Sequence, residues 1–286
     1  METALISIVI PCYNRCELLQ RCLRNLKKQS YPNIEIIVVD DGSQDGTEAI
    51  MRKYSDSNIR YYRYSPNRGA CYGRNYGIQK AQGEYIAFQD SDDLWRPEKL
   101  EEQMRYLKKT HADMVFCGMY RYEEGMRNVS YYPPKGFDSP QSVFQQLLKQ
   151  NRISTQTILA KKCIFDEVKF DPAFKRFQDW DFALQTAKAG YKIEYVSKPL
   201  VISEIQQDSI TAMVKNEESY KRILNKYKED YESNPRAYAQ TVYNMADSLK
   251  DTEREKAIKY FERSLKYCFN LRVFFELCLL KMHIKI

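Results

Sequence analysis

The sequence predicts an α/β fold, a mainly parallel sheet flanked by helices, followed by an all-helical C-terminal region. Three observations carry this expectation. Short β-branched runs alternate with helix-spaced apolar residues through the first half. Polar and charged residues gather directly after each run. From about residue 212, Tyr- and Lys-rich helical patterns replace every strand signal.

Residues 5–10 (LISIVI) form the first strand, and Leu18, Leu19, Cys22, Leu23 and Leu26 recur after it at helix spacing. Residues 34–39 (IEIIVV) form the second strand, with a helix starting near Thr47. Residues 59–64 form a third, weaker strand, followed by a helix over residues 74–81. Residues 85–88 are the fourth strand, and Pro97 opens a helix that runs to Lys109. A fifth strand covers residues 113–120. Strands alternating with helices at this spacing make βαβ units, which require parallel pairing.

The second half is less regular. Residues 130–140 (SYYPPKGFDSP) predict a crossing loop before a helix at 141–150, and residues 155–160 and 193–203 predict strands on either side of a helix ending near Ala189. The domain boundary falls at residue 212, with a catalytic-type α/β domain over residues 1–212 and a helical region over 213–286.

Composition narrows the classes without choosing among them. With 286 residues and 43% hydrophobic content the chain can bury a large core. No stretch approaches the ~20 apolar residues of a membrane span, and no secretory leader is expected at the start. The eight cysteines form no C-x-x-C pair, as expected of reduced core residues in a cytoplasmic setting. A net charge of +7 suits a phosphate-bearing substrate, an anionic membrane or a nucleic acid equally well.

In open sheets of this kind ligands bind outside the carboxyl ends of the strands. Pro11, Tyr13 and Asn14 follow the first strand, Asp40 and Asp41 the second, Arg68 and Gly69 the third, and Asp90, Ser91, Asp92 and Asp93 the fourth. Asp and Ser also make good turns and helix caps, so a single cluster decides nothing. Four strand ends that alternate acids with arginine are not explained by turns alone. Closely spaced carboxylates with oxygen-only partners suit Mg²⁺ or Mn²⁺ completed by substrate phosphates. The two histidines, His111 and His283, lie near no other candidate ligand, which argues against zinc. Arg68 and Arg74 answer phosphate charge, and Tyr13 offers a face for stacking a base.

Five stretches, in order and spacing, resemble the family 2 glycosyltransferases of GT-A fold: SIVIPCYN (7–14), VVDDGSQDGT (38–47), NRGACYGRN (67–75), GEYIAFQDSDDLW (83–95) and FQDWDFAL (177–184). The resemblance covers about residues 4–212. It implies that Asp90-Ser91-Asp92 is the D-x-D that binds the metal and the sugar-nucleotide diphosphate, Asp92 being the direct ligand and Asp90 its neighbour. It further implies that Asp41 reads the nucleoside, that Tyr13 packs on the base, and that Arg74 contacts the nucleotide. Asp179 matches the general base of the family's E-D pair, while capping the following helix is its structural alternative; Asp181 is read as structural. Sugar transfer must stabilise a departing diphosphate and deprotonate an incoming hydroxyl, and these groups divide that work. One base opposite the leaving group implies inversion.

Two departures stand out. The E-D pair reads Gln178-Asp179 here. Where many relatives carry Arg-x-His before a Ser-x-Ser or Ser-x-Thr, this chain has Glu204-Ile205-Gln206 before Ser209-Ile210-Thr211, so the metal is held more weakly or Gln206 substitutes as a neutral donor.

The expected partners are a nucleoside diphosphate sugar, UDP-linked by preference, and a glycan or lipid-linked acceptor in cell-surface polysaccharide synthesis; nucleic acid is not expected. A nucleotidyltransferase on the same sheet would want a Gly-rich loop after the first strand, which Pro11-Cys-Tyr-Asn14 lacks. The remaining alternative is a non-catalytic scaffold or nucleic-acid-binding protein on a degenerate version of the fold. Beyond residue 212, residues 237–267 pattern as a helix pair of tetratricopeptide kind, and 269–286 as an amphipathic basic tail. That tail either caps its own core, rests on the inner face of an anionic membrane, or joins a homodimer.

Overall fold

The computed structural model describes residues 3–54, 58–123, 129–133, 136–137, 143–205 and 216–282. The chain forms two compact units, one of residues 1–140, 152–173 and 178–207, the other of residues 141–151, 174–177 and 208–286. The helical unit thus draws in two segments from well before residue 212.

In the first unit, β1 (Ile6–Cys12), β2 (Ile34–Asp40), β3 (Ile59–Arg63) and β4 (Tyr85–Phe88) are joined by α1 (Cys16–Leu26), α2 (Thr47–Met51) and α3 (Ala70–Lys80). All three pairings among these strands are parallel. After β5 (Leu94–Trp95) and α4 (Lys99–Thr110) come β6 (Met114–Glu123), β7 (Val129–Tyr132), β8 (Ile158–Lys161) and β9 (Ile193–Ile205). The sheet runs β3-β2-β1-β4-β8-β6-β9-β5, with β7 on β6. Antiparallel pairs enter here: β4 with β8, β6 with β8, β6 with β7 and β5 with β9, while β6 and β9 are parallel. The crossing loop expected at 130–140 begins instead as β7, because the β-prone run VSYY can return along β6 before the prolines stop it. The two-residue β5, hidden in the sequence by its length, docks Leu94 and Trp95 against β9.

The strands are covered on both faces, as a parallel sheet requires. Ile6, Ile8, Ile10 and Val38 pack with Leu19, Leu23 and Leu26 of α1 and with Leu100, Met104 and Leu107 of α4. The opposite face carries α3, α6 (Ile164–Glu167) and α7 (Gln178–Lys188), and there Phe88 meets Phe165 and Phe170 edge-on while Phe182 stacks on both. Helix α3 lies unusually close to the sheet. A Cβ on Gly77 would fall 2.4 Å from Val9 Cγ1, and one on Gly73 3.2 Å from Pro11 Cβ. This pair of glycines, one turn apart, lets the helix backbone rest on β1.

In the helical unit, α5 (Val143–Lys149) lies with α8 (Asn216–Lys226), α9 (Lys228–Glu232), α10 (Pro235–Asp247), α11 (Arg254–Tyr267) and α12 (Leu271–Lys281). The last carbonyls of α5 are capped by side chains: Tyr231 and Thr241 donate to Leu148 O at 2.8 and 2.7 Å, and Asn244 to Lys149 O at 3.0 Å. Asn234 caps α10 through Ala237 N, with Pro235 at the first helical position, and Asn270 caps α12. Helices α10, α11 and α12 share a core of Met245, Ala246, Leu249, Ala257, Phe261, Val273, Leu277 and Leu280. One face of the tail helix therefore caps its own core.

Lys99 is fully buried in the first unit, its ammonium 3.7 Å from the Trp95 ring centroid and donating to Gln103 Oε1 at 2.7 Å. Burial pulls its pKa from the ordinary 10.5 down to about 8. Between those values the unfolded chain binds more protons than the folded one, so stability rises with pH across that window by about 3 kcal/mol. Denaturant melts from pH 7.5 to 10.5 should show this rise in the native chain and not in Lys99→Met.

Candidate functional site

The rim at the carboxyl ends of β1 to β4 is built by loops that pin one another. Asn14, with φ of 50°, donates its N–H to Ser43 Oγ at 2.9 Å and accepts from Gln44 N at 2.8 Å. Asp45 accepts from Cys16 N and from Thr47, closing the same two loops from the other side. Asp40 is fully buried, accepting from Ser43 N at 2.8 Å and from the Tyr61 hydroxyl at 2.5 Å. Burial and the Asp40 charge push that phenol well up.

Asp41, also buried, accepts Arg68 N and Gly69 N, each at 2.7 Å, one on each carboxylate oxygen. It therefore shapes the loop between β3 and α3. Four lone-pair sites on the carboxylate leave further acceptor capacity toward a ligand. The Arg68 guanidinium lies 3.6 Å from the Tyr72 ring centroid. Pro11 is half-buried in register with Val39, and Tyr13, just beyond it, is 43% exposed at the strand end.

Arg74 ties the rim together. It is buried on α3, donating from Nη2 to Asp90 Oδ1 and from Nη1 to Gln178 Oε1, both at 2.7 Å, with Phe170 5.5 Å from its charge. Desolvation disfavours its charge, but Asp90 more than offsets this and the pKa is raised. Among the described residues its Nε–H has no acceptor, which leaves one donor for a ligand oxygen. The sequence-predicted Asp90 and the Gln178-Asp179 pair, 88 residues apart and more, thus converge on one side chain.

Asp90 is about a third exposed, Ser91 buried and Asp92 half-buried, in a turn closed by Asp93 N to Asp90 O at 3.2 Å. Burial and the neighbouring Asp90 charge raise the Asp92 pKa. Asp93, almost fully buried, is raised further by burial and both neighbours, against a hydrogen bond from Ser203 and the charge of Arg121. Asp179 is half-buried at the start of α7, where its Oδ1 accepts Trp180 N at 2.8 Å. Its pKa is raised by burial, offset by that N–H, Arg121 and Arg74. Asp179 thus satisfies one of the first-turn N–H groups of α7. Asp181 is fully buried and accepts from Gln185.

A divalent cation fits this donor set. Two crowded carboxylates whose mutual repulsion raises the pKa of one of them are what a cation relieves. Among the described residues no group of three or more His, Cys, Asp or Glu side chains is placed to hold a metal ion by itself.

Two arginines had no motif to reveal them. Arg21 on α1 donates to the Asp92 carbonyl at 2.6 Å and pairs with Glu204 at 3.5 Å. Glu204 is thus the partner of a cation brought in from α1. Arg121 on β6 packs over Tyr132 at 4.2 Å and acts on Asp93 and Asp179 together. Gln206, Ser209, Ile210 and Thr211 lie outside the described residues.

The chain belongs to glycosyl transferase family 2, whose family model matches residues 7–164. It is 31% identical over 219 residues to the glycosyltransferase GlyG of Streptococcus pneumoniae, covering 72% of each chain. It is 32% identical over 171 residues to the Escherichia coli UDP-Glc:alpha-D-GlcNAc-diphosphoundecaprenol beta-1,3-glucosyltransferase WfgD, covering 59% of this chain and 65% of that one. The crystal structure of S. aureus TarS 1-349 in complex with UDP-GlcNAc is similar with a TM-score of 0.62 at 19% identity, over 94% of this chain and 82% of that one. The fold is the GT-A fold, and the chain is a glycosyltransferase.

Replacing Arg74 strands the Asp90 carboxylate beside an empty buried site. Arg74→Met should lower unfolding free energy by about 3 kcal/mol in urea titrations. Arg74→Lys, which keeps the charge but not the two-pronged geometry, should recover only part of the loss.

Proposed function

We propose that the chain is an inverting, metal-dependent glycosyltransferase that moves a sugar from a nucleoside diphosphate sugar, with UDP as the nucleotide, to a hydroxyl of a glycan or lipid-linked acceptor in cell-surface polysaccharide synthesis. The observation that carries this reading is the Arg74 bridge, which draws the D-x-D acid Asp90 and the base-bearing start of α7 to one rim. The UDP-GlcNAc held by TarS and the UDP-glucose and diphosphoundecaprenol-linked acceptor named for WfgD support the donor and acceptor classes.

Asp92, with Asp90, would hold Mg²⁺ or Mn²⁺, which supplies charge neutralisation for the departing diphosphate. Arg74 answers phosphate charge from the buried side, with Arg68 at the loop edge, and Asp41 and Tyr13 hold the nucleoside. Asp179 removes the proton of the acceptor hydroxyl. A single carboxylate in that role gives one displacement and hence inversion. The neutral Gln178 places an amide oxygen on Arg74, so no second carboxylate competes with Asp179 for the proton.

Asp92→Asn and Asp179→Asn should each lower transfer by roughly 10²–10⁴-fold while leaving the melting temperature within a few degrees of native. Unchanged transfer in both would overturn the assignment. Because the Asp179 pKa is raised and the base works deprotonated, activity should fall on acidification with a midpoint above the ordinary aspartate value of 3.8. That limb, read from the pH profile of kcat/KM, should not appear in the residual activity of Asp179→Asn.

A lipid-linked acceptor also calls for a membrane contact. On α12 the face away from the core exposes Leu271, Phe274 and Phe275, with Phe269 just before it and Met282 just after. Lys266, Arg272 and Lys281 flank them, an arrangement suited to an anionic bilayer surface. No helix among the described residues is long and apolar enough to cross a membrane. The native chain should float with vesicles containing phosphatidylglycerol and not with neutral ones, and Phe274→Ser/Phe275→Ser should remain at the bottom of the gradient.

A further inference from the structure

The helical unit contains a cavity of about 400 Å³ that no part of the transfer chemistry uses. Its walls come from α8, α9, α10 and α11, and the volume falls within the roughly 300–1,000 Å³ of small-ligand sites. Lys221, Asn225, Lys228, Tyr238, Arg263 and Tyr267 face it, with Glu232 as the one acid.

Three features of this lining point to a ligand. The Arg263 guanidinium lies 5.3 Å from the Tyr238 ring centroid and pairs with no carboxylate among the described residues. The Tyr238 hydroxyl oxygen is itself buried, so Arg263, which is exposed, is the group of this pair open to a ligand. The Tyr267 ring, 4.4 Å from Tyr238 between centroids and tilted to it, is half exposed and presents a free apolar face. Lys221 and Lys228 are answered by Glu217 at 2.8 Å and Glu232 at 3.7 Å, so Arg263 carries the uncompensated charge.

A negatively charged oxygen entering beside Arg263 would answer its charge. Aromatic faces next to polar donors suit a ring with an apolar side and oxygen-bearing edges, which is a pyranose.

We propose that this cavity binds an acidic sugar residue, one bearing a carboxylate or phosphate, and that this residue belongs to the acceptor glycan. The acceptor role rests on the glycan-extending function proposed above; the binding site itself does not. Tyr267 supplies the stacking face, and Arg263 supplies the anion contact.

The test titrates the full chain by calorimetry with a uronic-acid-containing oligosaccharide, its neutral counterpart, and glucose 1-phosphate. The acidic oligosaccharide should bind about tenfold more tightly than the neutral one, and Arg263→Gln and Tyr267→Ser, both at exposed positions, should each weaken it by about tenfold. Both variants should hydrolyse a UDP-sugar donor at the native rate, while Asp92→Asn should lose transfer and keep saccharide binding. Equal affinity for acidic and neutral sugars, or unchanged binding in both variants, would overturn the site. Binding of glucose 1-phosphate without the oligosaccharide would overturn the acceptor role. Loss of the proposed function would appear separately, as Asp92→Asn retaining transfer.

Discussion

A buried guanidinium must find partners for its charge, and the first unit of this protein is arranged around the partners of Arg74. The residue sits on a helix pressed against β1 by Gly73 and Gly77, in surroundings that strongly disfavour a cation. Asp90 compensates the charge and Gln178 takes a second N–H. Because those partners lie after β4 and at the start of α7, satisfying one arginine fixes the relative position of three segments far apart in sequence. The turn from Asp90 to Asp93 and the carboxylate of Asp179 inherit their placement from that requirement.

The remaining rim loops are held by the same economy of hydrogen bonds. Asp41 and Asp45 each accept from the backbone of a neighbouring loop and Asp40 from that of its own, so the acids that looked like ligands also build the loops that carry them. A turn-forming role and a ligand-binding role are not alternatives at such positions. A carboxylate already anchored by two amides is preorganised for a further contact, at no cost in side-chain freedom when the ligand arrives.

Much of this was legible in the sequence where the signal was local. The first four strands and their helices follow from periodicity, and the strand-end residues follow from where ligands bind in open sheets. Features that depend on distant partners were not legible. Two-residue β5 exists only because β9 offers an edge, and β7 only because β6 does. Arg21 and Arg121 carry no motif, since each reaches the acids from an element with its own separate pattern. The apolar run of α12 could be read as core or as surface, and both are true of different faces: Val273, Leu277 and Leu280 are buried, Phe274 and Phe275 exposed.

The central claim is that the rim binds a nucleotide through a cation held at Asp92. Thermal stabilisation by UDP, GDP, CDP, TDP and ADP, each with and without Mn²⁺, tests it most directly. A shift with UDP that requires Mn²⁺ is the expected result, since a ligand that binds only the folded state raises its apparent stability. No shift with any nucleotide, with or without the metal, would contradict it.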